Sequence, residues 1–182
     1  EIQGKGLDAI VINASGCGTE VKGYGHLFKN NDLWRDQAER ISSLAKDISE
    51  FLNEQEIRSH RLVENCTVLY HDACSLIHGQ NVRNEPRLLL DKVGFDIQEI
   101  PGKHFCCGSA GVYNLLQEEI AEKLKSRRLE AIDKVESEFI ATGNIGCQLQ
   151  LQTSLDRPVV HTVELLDWAT GGPRPPNVRE EV

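Results

Sequence analysis

Five short apolar runs limit what this chain can fold into: LDAIVIN (7–13), CTVLYHD (66–72), FDIQEIP (95–101), EFIAT (138–142) and PVVHT (158–162). Each has the length of a strand, and several stop at a Gly-Cys turn or a proline. Helix-like stretches lie between them. Residues 19–28 read as a short helix. Residues 33–52 carry Leu33, Ile41, Leu44, Ile48 and Leu52 at mostly helical spacing. Residues 85–93 suit a helix with Pro86 near its start, and 112–135, 146–155 and 163–169 supply three more. Strands alternating with helices predict an α/β fold with mainly parallel sheets flanked by helices.

Two of the strand–helix units look alike. DAIVINASGCGTEVKGYG (8–25) and EFIATGNIGCQLQLQTSL (138–155) each read as a strand, an Asn, a Gly-Cys turn and a helix. Gly16-Cys17 and Gly146-Cys147 stand 130 residues apart, the mark of an internal duplication. The second copy has an upstream part, roughly 62–135, that the first lacks. The chain contains no methionine, so the expectation is that it begins midway through its first repeat. Residues 1–57 would then be the truncated first repeat and 62–170 the second, joined by the charged stretch NEQEIRSHR. Residues 171–182, rich in Gly and Pro, would be a flexible tail.

The net charge of −8 argues against broad binding to nucleic acid or to anionic membranes, which calls for a basic face. No apolar run approaches the roughly 20 residues of a membrane span. The N-terminus does not read as a secretory signal. Six cysteines in such a chain therefore point to metal or redox use rather than to a disulfide framework.

Four of them form a pattern. Cys74 precedes the adjacent pair Cys106-Cys107 by 31 intervening residues, and 39 separate that pair from Cys147. Neighbouring cysteines rarely bridge each other, because disulfide geometry resists it. Each of the four follows a strand or sits in a Gly-rich turn, and in a parallel sheet such loops meet at one edge. Four thiolates suit zinc or an iron–sulfur cluster. No C-x2–4-C pair of the structural-zinc kind occurs, and adjacent thiolates with long gaps suit a larger cluster. Gly108, Gly111, Gly143 and Gly146 flank these cysteines and permit tight turns, whose backbone N–H groups offset anionic charge.

Other residues have plainer readings. Cys66 alternates with Val68 and Tyr70 and reads as a small buried hydrophobe. Cys17 has no partner in its own repeat and reads as a free thiol or a further metal ligand. His71 and His78 flank Cys74 as candidates to orient its loop, whereas Asp72 reads as a helix cap. His104 and His161 suit surface or packing roles. Tyr113-Asn114 reads as a helix start or a shield for the site. EEIAEKLKSRRLEAIDKVE (118–136) reads as a solvated helix face with i,i+4 charge pairs.

The cysteine pattern, with NASGCG upstream, resembles the CCG cysteine-rich domain of the heterodisulfide-reductase-like family. VINASGCGTEVKGYGHLF, YHDACSLIHGQ, CCGSAGVYNLLQEEIAEKL, ATGNIGCQLQ and HTVELLDWA are similar to the iron–sulfur subunits of glycolate oxidase (glycolate dehydrogenase). The resemblance covers nearly the whole chain apart from the tail. It implies two CCG repeats, the first truncated here, and a ferredoxin-like part with two [4Fe–4S] clusters that this chain lacks. It implies a [4Fe–4S] cluster held by Cys74, Cys106, Cys107 and Cys147, with Gly108 and Gly146 shaping the turns and Cys17 the equivalent ligand of the first repeat. No catalytic residue is implied in this chain: glycolate is oxidised to glyoxylate on flavin-binding partner subunits, and electrons leave through iron–sulfur centres to a quinone-type acceptor. The fragment alone is expected to be inactive. The expected location is the cytoplasm or the cytoplasmic face of the inner membrane, reached through the complex. The heterodisulfide-reductase pattern ends in C-x-x-C, but Gln150 holds the last place here, which disfavours a five-cysteine cluster and thiol–disulfide chemistry. The alternatives are a heterodisulfide-reductase-like subunit and a metal-free CCG module that docks flavin subunits.

Overall fold

The computed structural model describes residues 6–60, 66–102 and 105–175. Its first unit runs β1 (Ile10–Ile12), α1 (Ser15–Lys22), α2 (Tyr24–Leu27), α3 (Arg35–Leu44), β2 (Ala45–Asp47) and α4 (Ile48–Asn53). β1 and β2 pair in parallel as a two-stranded sheet. The second unit runs β3 (Thr67–Tyr70), a single π-helical turn (Ser75–Gly79), α5 (Glu85–Lys92) and β4 (Asp96–Glu99), then α6 (Tyr113–Leu116), α7 (Glu118–Ile132), β5 (Phe139–Thr142), α8 (Ile145–Gln152), β6 (Val159–His161) and α9 (Thr162–Ala169). Its four strands form one parallel sheet in the order β4-β3-β5-β6. The expected α/β architecture of parallel sheets flanked by helices is what the chain adopts.

Both faces of the larger sheet are covered, as parallel sheets require. Val68, Tyr70, Phe139, Ala141 and Val160 face α5 and α9 through Leu89, Leu90, Leu165 and Leu166. The alternate residues Leu69, Ile140 and Val159 face the other way, onto Ala131 and Ile132 of α7 and Leu151 of α8. Cys107 and Cys147 belong to this second core.

Three boundaries differ from the expectation. The stretch 33–52 is not one helical region, because β2 interrupts it. Leu44 and Ile48 keep helical spacing, but Asp47 ends one element and starts the next. Its carboxylate accepts from the Ser49 N–H at 2.9 Å, and Glu50 accepts from the Asp47 N–H at 2.8 Å. This capping box opens α4, and Ala45–Asp47 are left extended to pair with β1. The helix expected over 19–28 starts at Ser15 and breaks at Gly23. The helix expected over 112–135 breaks at Gln117, whose φ of −133° and ψ of 53° lie outside the helical region.

The two Gly-Cys units share their geometry. α1 and α8 each start two residues before their cysteine and span 8 residues. Ile10 pairs with Ala45 and Ile140 with Val159, so the strand preceding each helix meets its partner in the same register. β2 and β6 both lead into a helix opened by a capping box, Asp47 with Glu50 and His161 with Glu164.

Candidate metal centre

The winding of the larger sheet decides where its loops go. From β3 the chain crosses to β4 on one side, and it later returns to β5 on the other. The carboxyl ends of β3 and β5 therefore diverge, leaving the crevice in which ligands of open parallel sheets bind. His71 to Cys74 leave β3 there, and Gly143 to Cys147 leave β5. The segment after β4 returns with Cys106 and Cys107. Cys17, Cys74, Cys107 and Cys147 line a cavity of about 380 Å³ there, together with Ser109 and Asn144, and Cys106 is not part of its lining.

Cys74, Cys106, Cys107 and Cys147 lie close enough to shift one another's thiol chemistry, and the Cys107 and Cys147 sulfurs lie within 4.8 Å of each other and of a His71 ring nitrogen. Cys107 and then Cys74 hold the Cys106 thiol far below the usual range, and the Gly108 N–H donates to its sulfur at 3.3 Å. Cys147 is also lowered, first by Cys107 and, against its burial, by His71. Cys74 and Cys107 are correspondingly pushed up, each chiefly by the neighbouring Cys106. Cys107 and Cys147 are buried, Cys106 is half-buried, and Cys74 is exposed at the mouth.

The turns around them are tightly built. Gly108 has a φ of +90°, and a Cβ there would run into the Ala121 carbonyl of α7. A Cβ on Gly146 would lie 2.8 Å from the Ser109 Oγ and 3.0 Å from the Asn144 Oδ1. Ala110 takes a φ of +41°, rare for a residue with a side chain.

Several polar residues act here in ways the sequence pattern did not reveal. Asn144 caps α8, its Oδ1 accepting from the N–H groups of Gly146 at 2.7 Å and Cys147 at 3.4 Å. Its Nδ2 donates to Ser15 at 2.7 Å and to Ser75 at 3.3 Å. Gln80 donates to the Ser15 carbonyl at 2.9 Å, and the Ser15 and Ser75 hydroxyls lie 2.7 Å apart. Asp72 is not a helix cap: it receives both terminal nitrogens of Arg87 at 2.8 Å, and Arg87 also reaches Glu99. The solvated face expected over 118–136 holds one exception. Arg128 is wholly buried, and its Nε–H donates to the Nδ1 of His71 at 2.9 Å. Neither residue stands out by composition. Only its place on the inward side of α7, in line with Ala121, Ala131 and Ile132, separates Arg128 from its charged neighbours.

The remaining candidates fall away from the centre or at its rim. Cys17 is exposed and lines the cavity from the first unit. Cys66 is partly buried against the first core. His78 is exposed. His161 opens α9, its Nδ1 accepting from the Val163 N–H at 3.2 Å. Gln150 is held by Asn114, whose amide donates to it at 3.1 Å. His104 lies outside the described residues, as do the tail residues from 176 onward. Among the described residues no helix is long and apolar enough to cross a membrane.

Residues 68–152 match the family model described as CCG, cysteine-rich domain. The chain is 36% identical over 164 residues to the glycolate oxidase iron-sulfur subunit of Escherichia coli, covering 90% of this chain and 40% of that protein. It is 33% identical over 175 residues to a protein of Bacillus subtilis named "Probable glycolate oxidase iron-sulfur subunit", covering 91% of this chain and 39% of that one. Lactate utilization protein A of Bacillus subtilis is 27% identical over 165 residues, covering 86% and 69%. The chain thus spans about two fifths of the length of the first two relatives. Residues 68–152, which bring Cys74, Cys107 and Cys147 to the switch point of a parallel sheet, thus match the CCG cysteine-rich domain, and over nearly its whole length the chain is similar to iron–sulfur subunits of glycolate oxidases.

Proposed function

We propose that this chain is the part of an electron-transferring iron–sulfur subunit that holds a [4Fe–4S] cluster on Cys74, Cys106, Cys107 and Cys147, in a complex that oxidises glycolate to glyoxylate. The observation that carries this reading is the gathering of Cys74, Cys107 and Cys147 around one cavity at the sheet edge, with Cys106 adjacent to Cys107 in the same loop. Soft thiolate donors suit iron–sulfur chemistry, and the surroundings of Cys106 and Cys147 favour the thiolate form. When bound, the cluster supplies one-electron redox chemistry. The chain's own residues do the rest. The sheet sets the spacing of the sulfurs, Gly108 and Gly146 let their loops close, and the Gly108 N–H faces the Cys106 sulfur. Burial of Cys107 and Cys147 keeps water from one side, while exposed Cys74 leaves the other open to a partner.

In this reading the reaction with glycolate takes place at a flavin on partner subunits, and electrons pass to a quinone-type acceptor at the cytoplasmic face of the membrane. Residues 62–170 belong to one CCG repeat and 1–57 to another, in which Cys17 is a ligand. The shared register of the two strand pairs supports that division. The test is anaerobic reconstitution of the chain with iron and sulfide, followed by metal and sulfide analysis and EPR of the reduced sample. About four iron and four sulfide per chain, with a signal lost in Cys106→Ser, is the expected result. A protein that takes up neither after reconstitution overturns the reading, and one that retains zinc alone replaces it.

A further inference from the structure

Arg128 presents an electrostatic problem that the described residues alone do not solve. Its side chain is 0% exposed, on the inward face of α7. Nε donates to His71 and Nη1 to the Gly102 carbonyl at 3.1 Å, while Nη2 has no hydrogen-bond partner among the described residues. No carboxylate among those residues forms an ion pair with it; the nearby Asp72 is taken by Arg87. A buried charge without a counter-ion is strongly disfavoured. Burial pushes the guanidinium down, and against it act Asp72 and then the cysteines of the centre, Cys107, Cys147 and Cys106.

His71 stands between the guanidinium and those sulfurs. Its ring is 1% exposed, and one of its nitrogens lies within 4.8 Å of the Cys107 and Cys147 sulfurs, as those sulfurs do of each other. Nδ1 accepts the Arg128 N–H, so the proton of the neutral ring sits on Nε2. Nε2 has no hydrogen-bond partner among the described residues. A histidine that ligates a metal donates its other ring N–H to an acceptor. Here the other nitrogen faces a donor, so His71 is set up to offer an N–H to sulfur rather than a lone pair to a metal.

We propose that Arg128 and His71 form a buried pair that sets the reduction potential of the cysteine-bound cluster, Arg128 as its fixed counter-charge and His71 Nε2–H as a donor to its Cys107–Cys147 side. This rests on the cluster reading above. Net charge and hydrogen bonds to sulfur are two of the quantities that fix iron–sulfur potentials. Both act here in one direction, stabilising the more negative, reduced state. Arg128 and His71 are positioning residues, separate from the four ligands.

The test measures two things on the full chain: the midpoint potential of the reconstituted cluster by EPR-monitored titration, and the denaturant midpoint of the metal-free protein. Arg128→Met is expected to shift the one-electron equilibrium toward the oxidised form by at least tenfold, or about 59 mV downward. It is also expected to raise the denaturant midpoint of the metal-free protein, because the uncompensated charge is gone. Arg128→Lys, which keeps the charge and loses the fork, should fall between Arg128→Met and the parent in potential. His71→Phe, which leaves the guanidinium in place, should also lower the potential. A loaded Arg128→Met protein with an unchanged potential overturns this inference and leaves the cluster reading standing. A parent chain that binds no iron and sulfide overturns both. If Arg128→Met fails to fold, the Arg128→Lys and His71→Phe potentials decide: both unchanged overturns the pair.

Discussion

Asn144 and Ser15 lie 129 positions apart in the chain, yet the Nδ2 of one donates to the Oγ of the other at 2.7 Å. Each stands at the start of a Gly-Cys helix, Asn144 just before α8 and Ser15 as the first residue of α1. The contact joins the two units at the one place where both carry a cysteine toward the same cavity. Asn144 thereby holds its own helix, the π turn beside Cys74 and the first unit together.

Asn144→Ala removes two accepted N–H bonds and two donated ones. Loss of an N-cap side chain costs about 1 kcal/mol, and loss of the links to Ser15 and Ser75 adds about as much again. A denaturant melt should show a fall of about 2 kcal/mol. Asn144→Asp keeps the cap and loses the donor, so it should recover roughly half. An Asn144→Asp protein as stable as the parent would show that the links to Ser15 and Ser75 contribute nothing, and equal stability of the two variants would show the same of the cap.

Gly108→Ala should be the more damaging of the two glycine changes at the centre. A left-handed backbone costs a residue with a side chain about 1–2 kcal/mol, and the new methyl group meets a backbone carbonyl of α7 that cannot step aside. Gly146→Ala meets the ends of the Ser109 and Asn144 side chains, which can rotate. Iron content after reconstitution should therefore drop steeply in Gly108→Ala and mildly in Gly146→Ala. The reverse order would contradict the geometry.

Arg87→Met breaks a two-pronged pairing with Asp72, whose side chain is 5% exposed, and leaves that carboxylate buried without its partner. Breaking a buried pair from one side costs about 3 kcal/mol or more. The expected loss is near the lower end, because Arg87 itself is partly exposed. The double change Arg87→Met with Asp72→Leu should recover much of it. A double variant as unstable as the single one would show that packing, not the ion pair, holds this corner.

Ile140→Ala removes a wholly buried side chain from the central strand β5, on the face that also holds Cys147. The expected cost is about 2–5 kcal/mol, measured by thermal or chemical unfolding. Phe139→Ala, on the opposite face, should cost a similar amount and leave iron uptake less affected.

Much of this fold was legible in the sequence because its strands are short apolar runs bounded by turns, a pattern that few other elements imitate. Strands β3 to β6 fall inside the expected runs. Strand β2 was not legible: Ala45-Lys46-Asp47 is polar and short, and only its pairing with β1 makes it a strand. That Cys74, Cys107 and Cys147 meet at one sheet edge was readable from type and position, since thiols after strand ends are few. The polar residues that support them were not. Asn144, Ser15 and Gln80 act through contacts between units far apart in the chain, and Asp72 found Arg87 rather than a helix end. Arg128 sits in a run of charges where nothing in composition marks one arginine as buried.

The neighbouring placement of β3 and β5 carries a consequence for the cysteines at their ends. Cys74 and Cys147 hang from two adjacent ladders whose register is fixed by Leu69 opposite Ile140. A parallel ladder advances by about 3.3 Å per residue, more than the length of a metal–sulfur bond of about 2.3 Å. Slippage by a single rung would carry the two sulfurs out of common reach and turn every side chain of β5 to the wrong face. The apolar residues of β3 and β5 therefore serve as a gauge block: their fit to the two cores sets, to within a bond length, the gap that the thiols must span.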